Sequence, residues 1–390
     1  MKEIFEKLHR PINPAGYITE IDGFRFFAIF TVCLLHLNNF FGRSIGYDYY
    51  QGVKDINSWS WFINRCGLGV ELFFAISGFV IALPFFRHYL EGSKKPSLKQ
   101  YFYRRLTRLE VPFILSCVII YLAYAITSQT NILADINHLF ASITYTHTLI
   151  YGVWPPFNPV IWSLEVEIQF YVLAPWLILF LFSGSGKYSW YIRITILFCF
   201  SLILKGFFYN ELKQLHLHLS ILNHLHYFLV GFTIAYLFLR QKELLYRKYF
   251  IWDIVGSICF YLLFYFIWNP NQLYFCIALF LLFLSVFKGY FINWICRRKV
   301  LYIIGGMCYT IYLLHYPLFH FTGKLTKKIL PFDFYYSNYL IQATLLLPIV
   351  FTICCCYYIL IEKPCMNKNW PQTLLSLIHI SEPTRPISIS

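Results

Sequence analysis

The sequence predicts an all-α, polytopic membrane protein of about ten transmembrane helices with a cytoplasmic N-terminus. Three observations carry that prediction. The 390-residue chain is 58% hydrophobic and 21% aromatic, with only 13% charged residues, and its mean hydropathy is +0.57. No water-soluble domain needs such a composition. Apolar runs of about 20 residues recur along the chain, the length that crosses a bilayer. The Lys and Arg residues behind the net charge of +14 are parcelled out between these runs. A nucleic-acid surface needs them gathered in one patch, so that class of partner is excluded.

The runs lie near 23–41, 67–86, 110–128, 159–182, 190–208, 220–239, 251–268, 272–288, 301–322 and 337–361. With the N-terminus inside, the inner segments hold 22 Lys and Arg and the outer segments 8, the asymmetry that sets topology. The chain divides into a cytoplasmic N-terminus (1–22), a membrane domain (23–364), a cytoplasmic tail (365–374) and a C-terminal stretch (375–390). Within the last, LSLIHISEPTR resembles the in-frame translation of a transposase-type sequencing adapter. It is excluded from the fold. The first run is too long for a cleavable signal peptide and lacks a small-residue cleavage site, so it is expected to stay as a helix.

The first span, IDGFRFFAIFTVCLLHLNNFF, carries Asp22, Arg25 and His36. Arg25 and His36 are eleven residues apart and return to nearly the same face at about 100° per residue. They lie roughly 16 Å apart along the axis, so an arginine at the membrane edge puts the histidine near the midplane. Asp22 is one turn before Arg25, in reach of its guanidinium. Ionisable groups inside a membrane helix are costly and mark function by default; the plainer alternative is a hydrogen bond to a neighbouring helix. The second span, GVELFFAISGFVIALP, adds Glu71, Ser77 and Gly78, the small pair suited to close helix packing.

The loop after it is the most basic stretch, with Arg104, Arg105 and Arg108 just before Pro112 and the third span. In a helix Arg104 and Arg108, or Arg105 and Arg108, share a face one turn apart. They suit a ligand bearing several phosphates, which arginine binds bidentately. The positive-inside rule and anionic headgroups account for the loop as a whole. The fourth span opens with WSLEVEIQFY and brings Trp162, Glu165 and Glu167 into the membrane. The two glutamates point about 200° apart, so only one faces the bundle centre. Glu167 is roughly 12 Å below the outer face, a depth His36 also reaches. A carboxylate beside an imidazole at one level is what a general-base pair requires.

The fifth to eighth and tenth spans are apolar with few charges. His216, His218, His224 and His226 precede or open the sixth. No pair among them has the three- or four-residue spacing of helical chelation, so they are expected at the interface and no metal is assigned. The ninth span, CYTIYLLHYPLFH, places Tyr309, Tyr312 and His315 at cavity depth, with Tyr312 and His315 one turn apart. The 12 cysteines show neither a disulfide framework nor metal-ligand spacing.

In order, IDGFRFFAIFTVCLLH, GVELFFAISGF, RRLTRLEVPF, PVIWSLEVEIQFY, MCYTIYLLHYPL and IEKP resemble the integral-membrane acyltransferases of family 3. The resemblance covers residues 18–364 and points to the O-acetyltransferase type as a stand-alone membrane domain. It implies a ten-helix domain in the bacterial inner membrane that takes an acyl group, expected to be acetyl, from acyl-CoA. The group passes to a hydroxyl of a surface glycan or lipid-linked sugar, with no tightly bound cofactor. By that resemblance Arg25 and His36 form the Arg-to-His motif with His36 catalytic, and Glu167 matches the family's acid. Arg105 and Arg108, with Arg104 beside them, look like the basic motif that meets CoA. Asp22, Glu71, Trp162, Tyr309, Tyr312 and His315 are placed along the substrate cavity. Two departures stand out: Glu165 occupies a position usually small, and Ile168 replaces a frequent second acid. Which glutamate serves the site stays open. No esterase-like domain follows in this sequence, so a partner enzyme for the final transfer is one expectation. The alternative reading is a multi-pass transporter or proton-coupled permease, since intramembrane histidine and glutamate also form proton relays.

Overall fold

A computed structural model describes residues 7–10, 17–45, 59–127, 132–184, 186, 188–269, 271–332, 334–367 and 370. Among the described residues every regular element is helical. The chain runs through α1 (Thr19–Ile45), α2 (Gly69–Glu91), α3 (Leu98–Ile126), α4 (Ile161–Phe182), α5 (Ser189–Phe207), α6 (Leu225–Arg240), α7 (Ile251–Phe266) and α8 (Gln272–Lys288). It continues through α9 (Lys299–Gly306), α10 (Cys308–Thr326) and α11 (Tyr335–Tyr357). Short helices fill the connections, among them Ile132–Ile143 and His147–Tyr151 between α3 and α4.

Every interval expected to be a span holds one of these helices, but they are not of one kind. Helices α1, α3, α4 and α5, with the runs Trp59–Glu91 (containing α2) and Tyr335–Cys365 (containing α11), are long and apolar enough to cross a membrane. Helices α9 and α10 pass that test only as a pair, bent by 73°, which makes a seventh span. The 16, 16 and 17 residues of α6, α7 and α8 rise roughly 24–26 Å at 1.5 Å each, short of a ~30 Å core. For α6 the reason is local. Residues 221–223 form a 3-10 turn, and the Ser220 hydroxyl accepts the amide of Leu222, so the helix begins only at Leu225.

Helix α2 lies at the centre, against α1, α4 and α6. Its crossing with α6 is backbone on backbone. A Cβ on Gly78 would stand 2.2 Å from the Phe228 carbonyl oxygen, and one on Gly231 would stand 2.0 Å from that of Ala75. Small residues set such close approaches in membrane bundles, as the sequence suggested for Gly78. Aromatic rings fill the adjoining layers: Phe228 stacks at 4.0 Å on Phe170 of α4 and at 4.7 Å on Phe74 of α2.

Two expectations are corrected in this part of the fold. His224 and His226 are not interfacial; both are buried, His226 completely, with its Nδ1 3.0 Å from the Ser201 hydroxyl of α5. Ser77 is more than a packing residue, since its hydroxyl donates to Glu167 across the α2–α4 contact. Among the described residues all cysteines are free, and no group of three or more His, Cys, Asp or Glu could hold a metal ion. The assignment of residues 375–390, like much of the N-terminal segment, lies outside the described residues.

The glycine crossing is testable. Gly78→Leu or Gly231→Leu should cost at least about 1–3 kcal/mol, the usual penalty for overpacking, and lower the unfolding temperature in detergent. Gly206→Ala, which meets nothing within 4 Å, should leave it unchanged or raise it. Equal behaviour of all three variants would contradict the packing described.

Candidate active site

The site is built around the N-terminal end of α1. Asp22 is almost fully buried, and its Oδ1 accepts from Arg25 one turn on and, at 3.4 Å, from Arg10. Tyr17 also donates to this carboxylate; burial and then the Asp22 charge push the Tyr17 phenol up from its ordinary value. The sequence makes the cluster possible by placing no bulk where α9 crosses. A Cβ on Gly305 would sit 1.8 Å from the Asp22 carbonyl oxygen. Charges out of water demand a partner, and this carboxylate supplies one for two guanidinium groups.

Arg10 and Arg25 form one wall of a cavity of about 1080 Å³. Arg104, Arg105 and Arg108 of α3 form another, and Lys363 stands beyond α11. Glu167 of α4 is the one carboxylate on the lining among the described residues. Its Oε1 accepts from the Ser77 hydroxyl and, at 2.6 Å, from the Tyr171 hydroxyl. Tyr101 donates to the Tyr171 carbonyl at 3.0 Å, and the Arg105 guanidinium lies 3.8 Å from the Tyr101 ring centroid. The arginine is thus held flat against an aromatic face. Also on the lining, Tyr312 and Ser163 share a hydrogen bond of 2.5 Å, and Tyr312 donates to the Val160 carbonyl at 2.9 Å. Tyr309, on the side wall, donates to the Leu109 carbonyl at 2.8 Å.

The residues expected at the site divide into three groups. Arg25, Arg104, Arg105, Arg108, Glu167, Tyr309 and Tyr312 line the cavity, and Asp22 holds two of its arginines from behind. Glu165 does not line it; its Oε2 accepts from the Thr148 amide at 2.9 Å and the Thr148 hydroxyl at 2.6 Å, tying α4 to the helix at 147–151. Glu71 and Trp162 stand off the lining, Trp162 with its ring 5.2 Å from that of His224. His36 and His315 also lie outside it. They are neighbours of each other, with ring centroids 5.1 Å apart, and His315 is 5.7 Å from Tyr312.

The expected meeting of His36 and Glu167 is therefore corrected. No hydrogen bond joins them among the described residues; the Glu167 carboxylate is engaged by Ser77 and Tyr171, while the rings at His36 are His315 and Tyr316. Equal depth counted along two helices fixes a level in the bilayer but not a direction around the axis. Sequence reasoning also missed Arg10, which looks like one more inner-loop cation, and Glu362. The latter sits in a π-helical turn after α11 and accepts from the Thr310 amide at 3.2 Å and the Thr310 hydroxyl at 2.5 Å, within electrostatic reach of Arg108. Its signal was present in IEKP, an acid two residues before a proline near the end of the last helical run.

Membrane-length helices and a cavity lined by five arginines define the class of helical membrane proteins with a cationic cavity. Residues 18–359 match an acyltransferase domain, and the chain belongs to that family. It is 25% identical over 350 residues to O-acetyltransferase OatA of Staphylococcus aureus strain NCTC 8325, covering 82% of this chain and 53% of the relative. A putative O-acetyltransferase of S. aureus strain COL is 26% identical over 336 residues, covering 78% and 51%. The chain thus spans about half the length of these curated relatives. No solved structure matches it.

The charge cluster gives a direct prediction. Asp22→Ala leaves the half-buried Arg25 without its counter-charge and should destabilise the protein by up to about 3 kcal/mol, read as a lower unfolding temperature and poorer recovery from membranes. An unchanged unfolding temperature would show that the cluster contributes nothing.

Proposed function

We propose that this protein is a membrane O-acyltransferase that takes an acyl group, most simply acetyl, from acyl-CoA and passes it to a hydroxyl of a surface glycan or lipid-linked sugar. The observation that carries this reading is the cavity walled by Arg10, Arg25, Arg104, Arg105 and Arg108. Coenzyme A carries a diphosphate and a 3′-phosphate, and five guanidinium groups converging from three segments suit such a ligand better than a singly charged one. The volume of about 1080 Å³ accommodates a nucleotide with its pantetheine arm. Family membership and the O-acetyltransferase relatives support the same chemistry.

In this reading all ten intervals cross the bacterial inner membrane with the N-terminus in the cytoplasm, α9 and α10 forming one bent span and α6 to α8 crossing a locally thinner layer. The arginine-lined mouth then opens to the cytoplasm, where acyl-CoA is found. The donor's phosphates dock on Arg104, Arg105 and Arg108, and its thioester points along the cavity toward Tyr312. His36 is the catalytic base: it removes the proton of the acceptor hydroxyl as the oxygen attacks the thioester carbonyl, and returns it to the departing thiolate. His36 stands one layer beyond the cavity end, behind Tyr312 and His315. The reaction therefore needs the Tyr312–Ser163 contact to part so that donor and acceptor meet from opposite sides. Glu167, Ser77 and Tyr171 line the path of the arm and leave the imidazole to other partners. Membrane lipids surround the bundle, and a partner enzyme is one route for the final transfer. A transporter reading has no comparable support from family or cavity.

Coenzyme A thiol release by the purified protein in lipid nanodiscs, with acetyl-CoA and a glycan acceptor, tests the reading. His36→Ala should abolish release while the protein stays folded. Arg105→Ala and Arg108→Ala together should raise KM for acetyl-CoA by about 100-fold, roughly 1.4 kcal/mol for each lost charge contact. Wild-type activity in either variant would reject the assignment.

A further inference from the structure

The sequence reading left His36 with a carboxylate that the structure places elsewhere, and the ring that does face it is a second histidine. The His36 and His315 centroids are 5.1 Å apart at an interplanar angle of 50°. His315 is fully buried, and its Nδ1 lies 2.9 Å from the carbonyl oxygen of Ile311, one turn back on α10. A carbonyl only accepts, so Nδ1 of His315 carries the proton and Nε2 is a bare acceptor. That Nε2 is closed off from solvent and has no hydrogen-bond partner. Nδ1 of His36 is in the same condition. The two nitrogens are not hydrogen-bonded to each other as the rings stand. Each unsatisfied nitrogen costs about 1–3 kcal/mol, and a turn of either ring that joined them in one N–H···N bond would relieve both.

We propose that His36 donates through Nδ1–H to Nε2 of His315, which makes His315 the positioning residue for the catalytic imidazole. This rests on the acyl-transfer reading above and gives His36 the orienting partner that Glu167 does not provide. The bond fixes the His36 tautomer: with the proton on Nδ1, Nε2 is the basic nitrogen, turned to the acceptor hydroxyl. In the transfer the hydroxyl proton moves to His36 Nε2 and the oxygen bonds to the thioester carbonyl carbon. The C–S bond then breaks, and the thiolate takes the same proton back. His315 stays neutral throughout; its lone pair meets the Nδ1–H of the imidazolium, where the charge develops. Aromatic rings flank the pair. Tyr316 stands edge-on to His36 at 5.3 Å, and Tyr312 and Phe319 flank His315 at 5.7 and 6.1 Å. Residues 312, 315, 316 and 319 share one face of α10, so a single helix carries the partner, its packing and the tyrosine that ends the cavity.

His315→Gln and His315→Met separate an acceptor from mere bulk, since the two side chains are similar in volume and only glutamine accepts strongly. In the thiol-release assay, the methionine variant should lose about 100-fold in kcat, the scale of a general-base contribution, with KM for acetyl-CoA within about twofold. The glutamine variant should regain at least tenfold of that loss. Equal rates for the two variants, or a wild-type rate with methionine, would overturn the pairing while leaving the acyl-transfer reading intact. Loss of the acyl-transfer reading has a different signature, a His36→Ala protein as active as wild type. A measurement independent of turnover covers variants that fail to fold. In ¹⁵N-histidine-labelled wild-type protein, the resonances absent from His36→Ala should report a protonated Nδ1. A protonated Nε2 there would refute the proposal.

Discussion

The constraint beneath this structure is the partial burial of cations in a bundle built for lipid. Arg25, nearly two turns into α1, is tolerable there because Asp22 accepts from it and the backbones around Gly305 close over the pair. Removing both charges and filling the space with apolar groups would be neutral or stabilising in many proteins. Retaining them therefore points away from stability and toward a ligand. The same argument reaches Arg10, which shares the carboxylate, and Arg108, which has Glu362 in reach. Five guanidinium groups and one lining carboxylate make a surface whose charge is left for something else to neutralise.

The structure separates two groups of residues that the linear sequence had joined. The arginines line one cavity, with Tyr312 and Ser163 also on its lining. His36 and His315 meet outside that lining. Such a partition suits a protein that handles one substrate from each side of a membrane. In the proposed acyl transfer the donor is held by charge in the arginine cavity and the imidazoles stand apart from it. Tyr312, held by two hydrogen bonds, is on the cavity lining with its ring 5.7 Å from that of His315.

Much of this was legible in the chain. Apolar run length and composition gave the helical class and the position of every long helix, because a bilayer imposes one dominant length rule on the sequence. Helical periodicity grouped Arg104, Arg105 and Arg108 and paired Asp22 with Arg25, since contacts within one helix follow from spacing alone. What escaped were contacts between helices. The partners of Glu167 and His36 depend on how each helix is rotated about its axis, and nothing local encodes that rotation. Helices α6 and α7 proved shorter than their apolar windows, while α8 fills its own; hydropathy cannot tell a helical turn from a buried loop such as the one before Leu225. Arg10 and Glu362 were hidden for a related reason: each is far in sequence from the groups it serves.

The most direct test of the central claim, that the cationic cavity exists to hold the phosphates of a coenzyme A donor, is equilibrium binding. Titration of the protein in nanodiscs with coenzyme A and, separately, with pantetheine isolates the contribution of those phosphates. The account predicts that coenzyme A binds at least about 100-fold more tightly than pantetheine, roughly 2.7 kcal/mol, with an affinity that falls as salt is raised. Equal affinity for the two ligands, unmoved by salt, would contradict it.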